Sequence, residues 1–324
     1  MGIKNGIRSV LDTALDRTIV SGYTRVGYHL RQFGWADDPE PGALQGQTAL
    51  VTGANRGIGK AIAAGLARLG ATVLLTVRDR ESGELAAKEI IEANSNADVQ
   101  VEVCDMSDLS AVRAFAADLS KRVWELDRLI HNAGMLPPTR TETGDKHEVT
   151  LATHVLGPVL LTECVVPILG VADDPRVILM SSGGMYTQSL PTDDPEYLDG
   201  RYSGVTAYAR TKRMQVALTP ILARRWAGQH IHVYSMHPGW ADTPGVATSL
   251  PAFRRLTGPL LRTPEQAADT ALWLAATQPA PPTGRFWHDR RPRPEHYLPL
   301  TRYGERQRQR LWRYCAYAVG IDNA

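Results

Sequence analysis

Between residues 47 and 290, short runs of β-branched and aliphatic residues alternate with stretches in which apolar positions recur every three to four residues. Runs at 48–51, 71–77, 99–104, 128–131, 176–180 and 231–236 read as strands buried on both faces. Helical spacing over 58–69, 109–124, 151–168, 207–226 and 264–276 lies between and after them. Strands that alternate with helices require crossover connections, so the expected class is α/β: a single doubly wound domain with a parallel sheet of about seven strands and helices on both faces. Residues 284–287 read as a last short strand, and the Pro-rich 290–294 leads into a tail.

The two ends follow different patterns. Ile3, Ile7, Val10, Leu11, Leu15 and Ile19 recur at helical spacing, with Lys4, Arg8, Asp12 and Asp16 at other angles. That amphipathic helix either packs on the domain or a partner subunit, or lies on a membrane surface. Pro39, Pro41 and Gly42 end the extension, giving three parts: 1–45, a core of 46–290, and a tail of 291–324. The tail gathers Arg302, Arg306, Arg308, Arg310 and Arg313 around Trp312 and Tyr314, as a helix that either docks on the domain or meets a membrane or partner.

Composition narrows the class further. With 43% hydrophobic and 22% charged residues, the 324-residue chain can bury a large core. Its 36 basic and 34 acidic residues give a formal charge of +2, so no nucleic-acid partner is expected. Cys104, Cys164 and Cys315 are far apart and cannot all pair, which favours a reducing compartment. We read no apolar run of about 18 residues as a membrane span. The expected location is cytoplasmic, with peripheral membrane contact through the terminal segments as an addition.

The candidate chemistry begins at Thr52-Gly-Ala-Asn-Arg-Gly-Ile-Gly59, where Gly53, Gly57 and Gly59 join the first strand to the next helix. Glycines there let the backbone approach a pyrophosphate, and the helix N-terminus offers unpaired N–H groups and the positive end of its dipole. The site is therefore a Rossmann-type dinucleotide cleft; a tight βα turn without a ligand is the plainer reading. No carboxylate precedes Arg78 at the end of the second strand, and Arg56 sits in the loop itself. Two arginines converging on a ribose 2′-phosphate favour NADP(H) over NAD(H).

Downstream, Tyr208 and Lys212 are four residues apart on a predicted helix, so they share a face. A cation near the phenol would bring it closer to acid/base work from its ordinary value of about 10.

These motifs, in this order, resemble the short-chain dehydrogenase/reductase family from about residue 46 to about residue 290. The resemblance implies that Gly53, Asn55, Arg56, Gly57, Ile58 and Gly59 form the cofactor loop, and that Asp105 and Met106 meet the adenine. It assigns Asn132, Ala133 and Gly134 to the fourth-strand motif, and Pro238, Gly239 and Thr243 to the segment holding the nicotinamide. Ser182, Tyr208 and Lys212 would be the catalytic core: Ser182 polarises the carbonyl, Tyr208 exchanges the proton, and Lys212 activates Tyr208 and holds the ribose. Ser181–Met185 and Met236–Val246 resemble one subgroup within the family, and the long segment between Ser182 and Tyr208 resembles that of retinol-dehydrogenase-like members. Many members carry an asparagine where this chain has His154, which implies either a histidine in the proton relay or a buried ring satisfied by a backbone carbonyl.

The implied activity is NADP(H)-dependent interconversion of a carbonyl and an alcohol. Met185, Tyr186, Trp240, Phe253 and Leu256 suit an apolar small-molecule substrate, or seal the lid against its own core. The rival is a dinucleotide-binding sensor or scaffold without turnover, against which the complete Ser182, Tyr208 and Lys212 set argues. His131, His232 and His237 lack metal-ligand spacing, so no metal is expected. The family also implies a homodimer or homotetramer through the helices at 151–168 and 207–226.

Overall fold

The computed structural model describes Thr18, residues 22–242, Arg255 and residues 257–321. The helical pattern from Ile3 to Ile19, and Thr243, Phe253 and Leu256, fall outside the described residues.

The strands are β1 (Thr48–Thr52), β2 (Thr72–Val77), β3 (Asp98–Val103), β4 (Arg128–His131), β5 (Arg176–Met180), β6 (His232–Met236), β7 (Arg285–His288) and β8 (Arg291–Pro292). They form one sheet in the order β3-β2-β1-β4-β5-β6-β7-β8, parallel through β7. Strand order reverses between β1 and β4, which opens a crevice at the carboxyl edge of the sheet. Strands β1, β4, β5 and β6 are almost wholly buried, which is why they lack polar alternation.

Helices cover both faces. On one side α2 (Gly57–Arg68), α3 (Arg80–Ala93) and α7 (Pro264–Ala276) bury Ile62, Leu66, Ile90 and Leu274. On the other, α4 (Leu109–Arg122), α5 (Val149–Leu169) and α6 (Gly204–Arg225) bury Val112, Leu119, Leu160, Leu218 and Leu222. At the amino edge, buried Arg128 and Arg176 donate to the carbonyls of Ala275, Leu274 and Thr277, satisfying the last turn of α7 and the residue after it.

The structure corrects the sequence expectations in several places. The sheet has an eighth strand, β8, antiparallel to β7 with Trp287 opposite Pro292. Asp289 and Arg290 make the two-residue turn between them, both with positive φ (50° and 56°), a geometry normally left to Asn-Gly or Asp-Gly. The helix α5 is long and apolar enough to cross a membrane, which the sequence reading missed, but 83% of its most apolar window is buried inside the fold. It is therefore a core helix by its surroundings. Helices α1 (Arg25–Gln32) and α3 were not anticipated individually; α3 presents only small and aliphatic residues to the sheet, Gly83, Ala86, Ala87 and Ile90.

The tail forms α8 (Glu305–Ala318), and Leu311, Trp312, Cys315 and Ala316 bury its apolar face in the core beside α5 and α6. Arg224 on α6 pairs with Glu305 at 2.6 Å. The α8 helix thus lies on one of the two helices through which family resemblance implies association.

Candidate active site

At the crevice, Gly53 has φ +65°, and a Cβ built on it would lie 2.7 Å from the Ala133 Cα. A Cβ on Gly59 would lie 2.3 Å from both the Asn132 Nδ2 and the Gly53 carbonyl. These glycines are therefore required by close backbone approach. Asn132 fastens the switch point: its Nδ2 donates to the carbonyls of Thr52 and Gly53, each at 3.0 Å. The N–H groups of Asn132 and Ala133 both donate to the Thr52 hydroxyl at 3.0 Å. Arg56 is extended at the N-cap of α2, followed by Gly57 and Ile58. That leaves first-turn N–H groups of α2 facing the crevice without a side-chain cap.

Arg56, at the start of α2, and Arg78, just after β2, are exposed, and neither is engaged in an ion pair among the described residues. The carboxylate that follows, Asp79, is committed elsewhere: it accepts from the Ser82 N–H at 2.9 Å as the N-cap of α3, and that bond keeps it below its ordinary range. Asn55 ties the loop to the same helix through a 3.0 Å bond to the Ser82 hydroxyl. Asp105 folds back on Ser107, accepting from its N–H at 2.9 Å and its hydroxyl at 2.8 Å. Met106 is buried, and its carbonyl sits where a Gly157 Cβ would be, 2.2 Å away.

The neighbouring serines beyond β5 divide their tasks. Ser181 is buried and donates to the Lys212 carbonyl at 2.9 Å. Ser182 is half-buried, and its Oγ accepts from the Gly184 N–H at 3.2 Å. Its hydroxyl also acts to lower the proton affinity of the Tyr208 phenol. One turn along α6, the Lys212 Nζ lies 5.5 Å from the Tyr208 ring centre and donates to the Met180 carbonyl at 2.7 Å. Burial dominates the electrostatics: it pushes the Tyr208 phenol up against the lowering effect of the Ser182 hydroxyl, and pushes Lys212 down to about 7. This differs from the expectation that the ammonium would lower the phenol, because desolvation is the larger effect on both groups.

His154 sits in a π-helical turn, Ala152–Leu156, inside α5. Its Nε2 accepts from the Met135 N–H at 3.0 Å, which leaves the proton on Nδ1, 2.8 Å from the Thr211 hydroxyl. Thr211 in turn donates to the Tyr208 carbonyl at 2.9 Å. The ring is satisfied by a backbone N–H, not by the carbonyl expected from sequence. Burial holds it well below 6.5 with Lys212 adding to the effect, so it is neutral and does not titrate at pH 6 to 7.

Pro238 and Gly239 follow β6 on the other side of the cleft; Gly239 has φ +79°, and a Cβ there would lie 2.5 Å from the Arg262 Nε. Met185 and Tyr186 point into a small core with Tyr23, Val216 and Phe286, so they seal the loop and do not line the cleft. Trp240 remains half-buried. The sequence reading missed Thr52, Thr211, Arg262 and Tyr23; only Thr52, inside the glycine motif, carried a local signal. The structure thus gathers Gly53, Gly59, Asn132, Ser182, Tyr208, Lys212 and His154 at the carboxyl edge of the sheet.

The family model described as short chain dehydrogenase matches residues 47–252. The chain belongs to the short-chain dehydrogenase/reductase family. Among its relatives, dehydrogenase/reductase SDR family member 12 of Bos taurus is 42% identical over 284 residues, covering 86% of this chain and 88% of the relative. That is the subgroup whose segments Ser181–Met185 and Met236–Val246 resemble. Retinol dehydrogenase 13 of Homo sapiens is 33% identical, covering 88% of each chain. Among solved structures, an uncharacterized protein from Mycobacterium paratuberculosis superposes with a TM-score of 0.68 at 26% identity, over 87% of this chain and 98% of the other. The RhlG/NADP active-site complex of Pseudomonas aeruginosa superposes with a TM-score of 0.62 at 27% identity, over 76% and 96%. As a family member, this short-chain dehydrogenase/reductase is a carbonyl/alcohol oxidoreductase that takes a nicotinamide dinucleotide.

Proposed function

We propose that the chain is an NADP(H)-dependent reductase or dehydrogenase of an apolar carbonyl/alcohol pair, with Ser182, Tyr208 and Lys212 as its reacting and binding set. The observation that carries this reading is the meeting of Ser182, just past the carboxyl end of β5, with Tyr208 and Lys212 on α6, where the Lys212 Nζ lies 5.5 Å from the Tyr208 ring centre.

The residues fit the cofactor. Gly53 and Gly59 make a cradle that any Cβ would fill, and the uncapped start of α2 offers N–H groups to a pyrophosphate. Arg56 and Arg78 are exposed and have no carboxylate partner among the described residues, while Asp79 caps α3, which supports binding of a 2′-phosphate. Asp105 and Met106 would flank the adenine, Asn132, Ala133 and Gly134 would floor the site, and Pro238, Gly239 and Thr243 would hold the far end. When bound, the cofactor supplies or accepts the hydride.

The chain's own groups supply the rest. The Gly184 N–H occupies a lone pair of Ser182, leaving the hydroxyl proton for the substrate oxygen, where it favours alkoxide. In the reductive direction Tyr208 gives its proton to that oxygen, and its raised proton affinity suits it to hold that proton beforehand. Lys212, when protonated, stabilises the phenolate left behind and can hold the ribose. His154 acts on Tyr208 through Thr211, fixing the backbone at the phenol, and is a positioning residue, not a proton carrier. The apolar substrate is supported by relatives named retinol dehydrogenases.

Tyr208→Phe tests the reading. Carbonyl reduction, followed by loss of NADPH absorbance, should fall at least about 100-fold while NADPH binding stays within about 2-fold. An unchanged rate would overturn the assignment.

A further inference from the structure

Tyr23 lies outside the region that the family model matches, 160 positions before Gly183, yet it is only 3% exposed. Its ring occupies the space where Gly183 would carry a side chain: a Cβ there would lie 2.7 Å from the Tyr23 Cε2. Gly183 directly follows Ser182 and precedes Gly184, whose N–H fixes the Ser182 hydroxyl. On its other side the same ring meets His237 edge-on at 4.5 Å and Trp240 at 6.2 Å, and the Tyr23 carbonyl accepts the Trp240 N–H at 2.8 Å. One residue thus touches both the loop carrying Ser182 and the segment His237–Trp240 across the cleft.

The segment around Tyr23 is held in place by a buried ionic cluster. The Gly22 carbonyl accepts from Arg31 at 2.9 Å and from Arg262 at 3.2 Å, and the Thr24 carbonyl accepts from the Arg262 Nε at 3.3 Å. Both guanidiniums close on Asp289, Arg31 at 2.7 Å and Arg262 at 2.6 and 2.9 Å. Arg262 also backs Gly239 and donates to the Pro238 carbonyl at 3.2 Å. Three charged groups at 5% exposure or less are expensive to bury unless mutually paired, so the arrangement has essentially one geometry. A wedge held this firmly sets the spacing of what it separates.

We propose that Tyr23 is a positioning residue of the active site, setting the distance between the Ser182 loop and the nicotinamide-holding segment Pro238–Trp240, so that the site is incomplete without the chain's amino-terminal segment. The proposal rests on the oxidoreductase reading above. It predicts damage confined to the nicotinamide end, since the glycine loop and Arg56 join β1 to α2, whereas Tyr23 packs on Gly183, His237 and Trp240.

The test compares wild type with Tyr23→Ala, Tyr23→Leu and Tyr23→Phe in the full chain. Steady-state rates are measured with NADPH and an apolar carbonyl, and binding is measured for NADPH and for the nicotinamide-free fragments ADP-ribose and 2′-phospho-ADP-ribose. Tyr23→Ala should lower kcat at least 10-fold and weaken NADPH at least 3-fold, with fragment affinity within 2-fold; Tyr23→Phe, which keeps the ring, should recover most of kcat. If Tyr23→Ala does not fold, Tyr23→Leu carries the same comparison. Rates within 2-fold for the Ala or Leu variant, or fragment and NADPH affinities falling in parallel, would overturn the proposal. A wild type that turns over no carbonyl would defeat the oxidoreductase reading instead, and the ratio of NADPH to fragment affinity would still decide whether Tyr23 positions the nicotinamide end.

Discussion

The Nδ1 of His154 lies 2.8 Å from the hydroxyl of Thr211, and that hydroxyl is spent on the backbone carbonyl of Tyr208. A ring on α5 thereby sets the place of a phenol on α6, through Thr211 and by meeting the Tyr208 ring edge-on at 5.4 Å. The π turn at Ala152–Leu156 aims it there, a local helix distortion of the kind found at functional sites.

Replacing His154 by leucine should leave the Met135 N–H without its acceptor and strip the Thr211 oxygen of its donor, while Thr211 keeps its bond to the Tyr208 carbonyl. Each such loss in a buried place costs about 1–3 kcal/mol, so a fall in the denaturant midpoint should accompany a roughly 10-fold loss of kcat. Because burial favours the neutral ring and its Nε2 accepts a backbone N–H, His154→Asn should leave the shape of the pH–rate profile near pH 6.5 unchanged. Loss of an inflection near pH 6.5 in that variant would restore the relay role.

Arg56 and Arg78 should discriminate between cofactors. The double variant Arg56→Ala/Arg78→Ala should raise the Michaelis constant for NADPH at least 10-fold, about 1.4 kcal/mol, and leave that for NADH within about 2-fold. Equal effects on both would show that the arginines do not read the 2′-phosphate.

Lys212 carries a cost in stability. Its folded value of about 7 lies below the ordinary 10.5, so the penalty for holding the ammonium in the interior is complete below pH 7. It fades as pH rises from 7 toward 10.5, where the unfolded lysine also loses its proton. Lys212→Met should therefore raise the unfolding free energy by about 2 kcal/mol at pH 6, after allowing for the Met180 carbonyl losing its donor, and by little at pH 10. The same variant should be inactive. Denaturant titrations at the two pH values read the difference directly.

Asp289 should behave oppositely. Its pairs with Arg262 and Arg31 hold its carboxyl well below the usual range despite burial, so its contribution is present above the unfolded value of about 3.9 and lost as pH falls through the folded value. Asp289→Asn leaves two buried guanidiniums facing a neutral amide and should cost about 3 kcal/mol or more at pH 7. The acid-induced fall in melting temperature below pH 4 should be shallower in the variant than in wild type.

Much of the fold was legible because its signals are local. A strand such as Leu50–Val51 has no solvated face, so its residues are apolar without interruption, and the turn that follows needs glycine at Gly53 and Gly59 whatever surrounds it. Tyr208 and Lys212 could be paired because α-helical geometry alone puts them on one face. The strand β8 was illegible because the turn Asp289–Arg290 adopts a conformation that neither side chain favours on its own.

The sequence by itself determined the alternating α/β order, the glycine cradle and the family's motif set, since each follows from the hydrogen bonding and sterics of residues within one turn or strand of each other. Tertiary structure alone decided which groups carry charge and which segments share the cleft. Burial moves Tyr208, Lys212 and His154 from their ordinary proton affinities, and only folding brings Tyr23, Arg262 and Asp289, spread over more than 260 positions, into one dry cluster beside Ser182. Desolvation and long-range ion pairing depend on where the chain ends up in space, and no spacing along it records them.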